Sequence, residues 1–145
     1  MITIAMRHGH AADARAGGDR DRALTERGRA AARAMFERLR GEGLEPAVAL
    51  VSAARRTRET FDQAPEPVRA ACELVEDEAL YNASGELIAE RVAVWREASE
   101  RPDATVLVIA HNPGITAFAD AGAVLMPADA VVMDGAKRFL RASES

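Results

Sequence analysis

The run Val106-Leu107-Val108-Ile109-Ala110 constrains this chain more than any other stretch. It is apolar without alternation, follows the turn residues Pro102-Asp103, and has the length of a strand. A strand with no polar face must be covered on both sides. Burial on both faces is the habit of a parallel sheet packed between helix layers, so the chain is expected to be α/β.

The rest of the sequence alternates in the way that this strand requires. Ile2 to Met6 reads as a first strand, and Ala11 to Ala23 as a polar, glycine-containing surface loop. Thr25 is placed to cap a helix from Glu26 to Arg40, with Ala31, Ala32, Met35, Phe36 and Leu39 on its buried stripe and Gly41 and Gly43 at its end. Pro46 to Ser52 reads as a second strand, followed by a helix from Ala54 that Pro65 and Pro67 break. A weak third strand is expected at Ala71 to Val75, with Glu76-Asp77-Glu78 after it. Ser84 ends the stretch expected to cap a helix from Gly85 to about Ser99, with Ile88, Val92 and Trp95 as its stripe, widened by Leu87 and Val94. The central strand leads into a helix from Ile115 to about Ala123, Pro113 sitting in its first turn. Further strands are expected around Val131-Val132 and Arg138 to Arg141, and the tail from Ala142 is expected to fray. The fold class is therefore a three-layer α/β sandwich, a mostly parallel sheet with helices on both faces.

With 145 residues, the expectation is one domain spanning 1–145. Aromatics make up only 4%, so the core should be aliphatic. A net charge of -4 argues against a nucleic-acid partner. No apolar run approaches the length of a membrane span, and Cys72 has no partner for an internal disulfide. A cytoplasmic protein without membrane attachment is the expectation, and Cys72 is expected to be an inert, buried apolar residue. Nothing in the Cys and His pattern suggests a metal site, and no cofactor is expected.

Three strands stop on chemistry. The first ends in Arg7-His8-Gly9, the second in Ser52 shortly before Arg55-Arg56, and the central one in His111. In open α/β sheets ligands bind beyond the carboxyl ends of the strands. Two arginines offer bidentate donors to phosphate oxygens. A neutral imidazole can attack phosphorus and carry the group as a phosphoryl-imidazole. The guanidinium charge nearby is expected to keep His8 neutral. His111 is placed to donate to a phosphoryl oxygen in the transition state. Arg7, His8, Arg56 and His111 are the candidate catalytic residues. Arg7, Gly9, Arg56 and His111 are the candidate phosphate-binding residues. The polar run Asp19 to Arg22 reads as a solvated loop, with Arg22 able to edge the site.

Four motifs carry a resemblance. Met6-Arg7-His8-Gly9, Leu24-Thr25-Glu26-Arg27-Gly28, the stretch from Val51 to Thr60, and Ala110-His111-Asn112-Pro113-Gly114 together resemble the histidine phosphatase superfamily. That superfamily includes the cofactor-dependent phosphoglycerate mutases, and the likeness is to its small SixA-like phosphohistidine phosphatase branch. The resemblance covers residues 1 to about 116. It implies a phosphoglycerate mutase-like fold and His8 as the phospho-accepting nucleophile. It further implies Arg7 and Arg56 on the phosphoryl group, with His111 stabilising it. Spacing from Ser52 and Thr60 selects Arg56 over Arg55, which reads as a solvated charge. His10 stands where the family has Glu, Gln, Asp or Lys, and reads as a rim residue without catalytic duty. Many relatives use a Glu as general acid. Glu78 is the candidate here, although the SixA-like branch is thought to lack that acid, which an imidazole leaving group makes dispensable.

The expected activity is that of a metal-independent phosphatase acting through phospho-His8 on a phosphorylated protein, phosphohistidine above all. A small-molecule phosphomonoesterase and a non-catalytic phosphate- or phosphoprotein-binding module are the alternatives.

Overall fold

A computed structural model describes residues 1–14 and 16–142. Its centre is a six-stranded sheet in the order β3-β2-β4-β1-β5-β6. The strands are β1 (Thr3–Arg7), β2 (Val48–Ser52), β3 (Glu73–Asp77), β4 (Val106–Ala110), β5 (Ala130–Met133) and β6 (Lys137–Leu140). The first four run parallel, and β5 and β6 add on antiparallel beyond β1.

All five residues of β4 are buried, and they alternate between two cores. Leu107 and Ile109 join Ile4, Met6, Ala49 and Val51 on one face of the sheet. That face is covered by α1 (Glu26–Gly41), α2 (Arg55–Asp62) and α3 (Glu66–Ala71), through Met35, Phe36, Leu39, Phe61 and Val68. Val106, Val108 and Ala110 join Ala5, Val48 and Leu50 on the other. There α4 (Gly85–Ala98) and α5 (Gly114–Ala119) supply Ile88, Val92, Ile115 and Ala119. The layers are those that the unalternating β4 run demands. Among the described residues no helix is long and apolar enough to cross a membrane.

Register fixes where the strands end. Arg7 lies opposite Ala110, and Val51 opposite Ile109, so β1, β2 and β4 finish along one edge. The residues after them, His8 and His111, and the last residue of β2, Ser52, meet there.

Several boundaries differ from the sequence reading. Pro65 and Pro67 do not merely break α2: Pro65 is the N-cap of α3, and Pro67 falls in its first turn, where a missing N–H costs nothing. This pushes β3 two residues along, so Glu76 and Asp77 lie inside the strand. Helix α5 stops at Ala119, not Ala123, because Asp120 takes a left-handed conformation with φ 45°. Val94 is exposed, and Arg96 turns inward alongside Ile88 and Val92. Its guanidinium donates to the carbonyls of Ile2, Pro102 and Ala104 and to the Thr3 hydroxyl. The cap at Thr25 is as expected, its hydroxyl accepting from the Gly28 N–H. The tail is expected to fray from Ala142, but the Ala142 N–H is held by Asp129 Oδ1 (2.8 Å); 143–145 lie outside the described residues.

Candidate active site

The end of β1 is held from several sides. The His8 N–H donates to the Ala110 carbonyl (3.2 Å), and the Arg7 N–H to the Asp129 carbonyl (3.0 Å). The Ala128 N–H returns a bond to the Arg7 and His8 carbonyls. The Gly9 N–H donates to Thr60 Oγ1 (3.0 Å). Gly9 also passes so close to Gly28 that a Cβ on Gly9 would fall 2.7 Å from the Gly28 carbonyl oxygen. That approach seats the N-terminal turn of α1 against the strand end.

His8 is buried, and its Nδ1 lies 2.7 Å from the Gly9 carbonyl oxygen. A carbonyl only accepts, so Nδ1 carries the proton. In the neutral ring, Nε2 is then a free lone pair. Burial is the main force holding the ring neutral, taking its pKa down to about 3, with the charges of His111, Arg56 and Arg7 adding to it. The sequence reading assigned that effect to guanidinium charge alone; desolvation is the larger cause.

The His111 ring centroid is 5.3 Å from that of His8. Its Nε2 lies 2.6 Å from Ser52 Oγ. Among the described residues Ser52 Oγ has no other acceptor, so its hydroxyl is satisfied by donating to Nε2, which leaves the His111 proton on Nδ1. Burial first, and Arg56 second, hold the His111 pKa at about 4.

The two arginines are braced alike. Arg7 Nη1 donates to the Leu125 carbonyl (2.9 Å), and Arg56 Nη1 to the Asp19 carbonyl (2.8 Å). Each Nη1 is anchored to main chain, and each Nε is left without a partner. Among the described residues the buried side-chain nitrogens with no hydrogen bond are Arg7 Nε, Arg56 Nε and His111 Nδ1. All three belong to residues that line one cavity together with His8.

Asp19, Arg22, Tyr81, Asn82 and Asn112 complete the cavity wall. Arg22 does edge the site. Asp19 is exposed, as the sequence suggested, yet its carboxylate is engaged by cavity residues. Its Oδ2 accepts from Arg56 Nη2 (3.1 Å) and from the Tyr81 hydroxyl, and its Oδ1 accepts from Arg22 (3.2 Å). The Tyr81 hydroxyl above all, with Arg22 and Arg56, holds the Asp19 pKa at about 2. Only the length of the loop between β1 and α1 hinted at a role for Asp19. Tyr81 is the single tyrosine of an aromatic-poor chain, and it packs edge-on to His111.

Five other positions fall outside the cavity. Gly9 does not line it, and its N–H is committed to Thr60, so Gly9 shapes the strand end. Glu78 does not line it either. Its side chain is 69% exposed and pairs with Arg20 at the surface. His10 lies beside the Thr25 hydroxyl (2.9 Å) and lines a separate hollow with Arg27 and Met126. Arg55 pairs with Glu59 and Asp21 at the surface. Cys72, half-buried against the α1 face, has its thiol pushed up to about 11 by desolvation.

Comparison with known structures shows the same fold. A protein assigned as the phosphohistidine phosphatase SixA of Agrobacterium tumefaciens is 24% identical, with a TM-score of 0.78 over 96% of this chain and 95% of that one. The protein histidine phosphatase SixA complexed with tungstate is 22% identical, with a TM-score of 0.78 over 99% of each chain. A mycobacterial glucosyl-3-phosphoglycerate phosphatase is 20% identical, with a TM-score of 0.63 over 97% of this chain and 98% of that one. Comparison with curated proteins gives no match. The family model of the histidine phosphatase superfamily, branch 1, matches residues 3–86, more than half of the chain. With that match, the chain belongs to the histidine phosphatase superfamily.

Proposed function

We propose that this chain is a metal-independent phosphatase that carries the phosphoryl group on Nε2 of His8 and acts on phosphohistidine displayed by a protein. The observation that carries the reading is the set of three buried, unpartnered nitrogens on Arg7, Arg56 and His111 around the free lone pair of His8. Buried polar groups are rarely left unpaired in a native protein. Three N–H donors left open on the wall of one cavity suit an anion with several acceptor oxygens.

In the first step the Nε2 lone pair attacks phosphorus. The bond from phosphorus to the leaving group breaks, and its electron pair departs with that group. Arg7 and Arg56 hold the non-bridging oxygens through their Nε edges, and His111 Nδ1 donates to another. Preorganised donors of this kind are worth about 3 kcal/mol each in the transition state. In the second step water attacks phosphorus, the P–N bond breaks, and its electron pair returns to Nε2. All four groups belong to the chain, and the reading calls on no metal ion.

The leaving group selects the substrate class. An alkoxide needs a proton from a general acid as it leaves. Glu78, the carboxylate proposed for that duty, is exposed and paired with Arg20. An imidazole departs far more readily without such help. Three of the structural neighbours bear the name SixA, a phosphohistidine phosphatase, which supports the same choice.

The test is hydrolysis of an aryl phosphate with EDTA present, by wild type and His8→Ala, with acid trapping of the phosphoenzyme. Wild type should turn over and show an acid-labile phosphoenzyme, and the variant neither. Tight phosphate binding without turnover would make the chain a binding module. Rates on a phosphohistidine protein and on sugar and nucleotide phosphates decide the substrate. Faster turnover of the small esters would replace the protein substrate with a small one.

A further inference from the structure

Asp19 supplies the one carboxylate among the described residues that line the His8 cavity. It comes from a short 3₁₀ turn, Asp19–Asp21, on the loop between β1 and α1. Its two carboxylate oxygens take donors from Arg56, Tyr81 and Arg22, all of them cavity residues. A carboxylate on these donors is a resident anion in an anion site. Arg56 is almost fully buried, and both of its Nη atoms are engaged by residue 19, one by the carbonyl and one by the carboxylate.

The attachment is one that can be released. The Asp19 side chain is 46% exposed. Its neighbour Arg20 packs over the Tyr81 ring at 4.0 Å and pairs with Glu78, both at the surface. Exposed ion pairs of this kind hold only weakly. A phosphoryl group in the cavity would place a second anion against the same guanidinium, and like charges at that range repel.

We propose that Asp19 is an internal competitor of the phosphoryl group: it yields Arg56 when substrate enters and reclaims it as inorganic phosphate leaves. This assignment rests on the reading of the cavity as a phosphoryl site. A phosphatase must let go of a product that carries the very group its arginines bind. A tethered carboxylate that re-forms its bonds to Arg56, Tyr81 and Arg22 offsets part of that affinity. Asp19 is thus a determinant of product release, and it neither accepts nor donates a proton in the chemistry.

The experiment is calorimetric titration of inorganic phosphate into wild type, Asp19→Asn and Asp21→Asn, with steady-state kinetics on an aryl phosphate. Asp21 lies on the same turn and pairs with Arg55 outside the cavity, so its variant controls for net charge. Asp19→Asn should bind phosphate about tenfold tighter or more, the scale of one charge-assisted bond released. Both KM and kcat should fall, and product inhibition should strengthen by the same factor as binding. Asp21→Asn should match wild type. Asp19→Ser makes the same comparison if the amide variant fails to fold. Equal or weaker phosphate binding by the Asp19 variants overturns the assignment and makes Asp19 a brace for Arg56. Phosphate bound more tightly by the variants, but with no turnover in wild type, sinks the phosphatase reading and leaves the competition standing. No phosphate bound by any of the proteins removes both.

Discussion

Gly9 and Thr60 are joined by a hydrogen bond from the Gly9 N–H to Thr60 Oγ1 at 3.0 Å. The Thr60 hydroxyl in turn donates to the Arg56 carbonyl at 2.7 Å. One side chain therefore ties the residue after His8 to the turn of α2 that carries Arg56. Thr60→Val keeps the shape and loses both bonds, leaving the Gly9 N–H buried and unpaired. A loss of about 1–3 kcal/mol of stability is expected. kcat/KM on an aryl phosphate should fall at least about tenfold as His8 and Arg56 lose their common reference. Thr60→Ser keeps the hydroxyl and should recover most of the rate. Thermal melts and steady-state kinetics on the pair check this, and full activity in the valine variant would show that the tie is dispensable.

The two buried histidines set a pH dependence with a definite sign. His8 is held at about 3 and His111 at about 4, both below the 6.5 of a free imidazole. Between those values the unfolded chain binds protons that the folded chain does not. Stability from this source is full above pH 6.5. It is lost as pH falls from there towards 4 and 3, by at most about 1.4 kcal/mol per pH unit for each histidine. Denaturant titrations from pH 7.5 to 4.5 should show the decline, and a His8→Asn, His111→Asn double variant should flatten it. Turnover should carry no enzyme inflection near 6.5, since both rings stay neutral there. An inflection that keeps its place while the substrate's own ionisation is varied would contradict this.

How much of this was legible depends on how local the signal is. β1, β2 and β4 carry dense apolar runs that stop abruptly, and His8, Ser52 and His111 are where they stop, so the edge and its residues could be read directly. β3 lies at the sheet margin with Glu73 and Glu76 exposed, which erases the alternation that would have marked its start. The six residues of α3 begin at two prolines that read as breakers, when one of them is a cap and the other sits in the first turn. Asp19 has little local mark beyond the length of its loop: apart from Arg22, its partners Arg56 and Tyr81 stand 37 and 62 residues away. The misplacement of Glu78 follows from β3, since starting that strand early made the carboxylates after it look like one cluster at its end.

Glu78 offers a direct check on the leaving-group argument. Its side chain is mostly exposed, and its partner is Arg20. Glu78→Gln should change kcat on a phosphohistidine protein by less than about twofold, because surface pairs of this kind contribute about 1 kcal/mol or less. The same variant should change aryl phosphate hydrolysis as little, since neither reaction draws a proton from it. A drop of about a hundredfold, the scale of a lost general acid, would return Glu78 to the chemistry.

Two glycines of α1 separate close packing from helix propensity. In a helix interior, Gly→Ala ordinarily stabilises by about 1 kcal/mol. Gly41, the last residue of α1, has open space where a Cβ would stand. Gly41→Ala should therefore raise stability by about 0.5–1 kcal/mol and leave activity alone. At Gly28 the same methyl would lie 2.1 Å from the His10 carbonyl oxygen and 2.9 Å from the His10 nitrogen. Main chain cannot swing aside as a flexible side chain can, so α1 or the strand end must move. Gly28→Ala should cost about 1–3 kcal/mol, and the shift reaches Gly9 and His8 through the adjoining backbone. Phosphate affinity and kcat should both drop in that variant. Urea melts of the two variants, with kinetics alongside, give the comparison. Equal stabilisation by both alanines would mean that the strand end tolerates displacement, and the close approach of Gly28 would then have no part in placing His8.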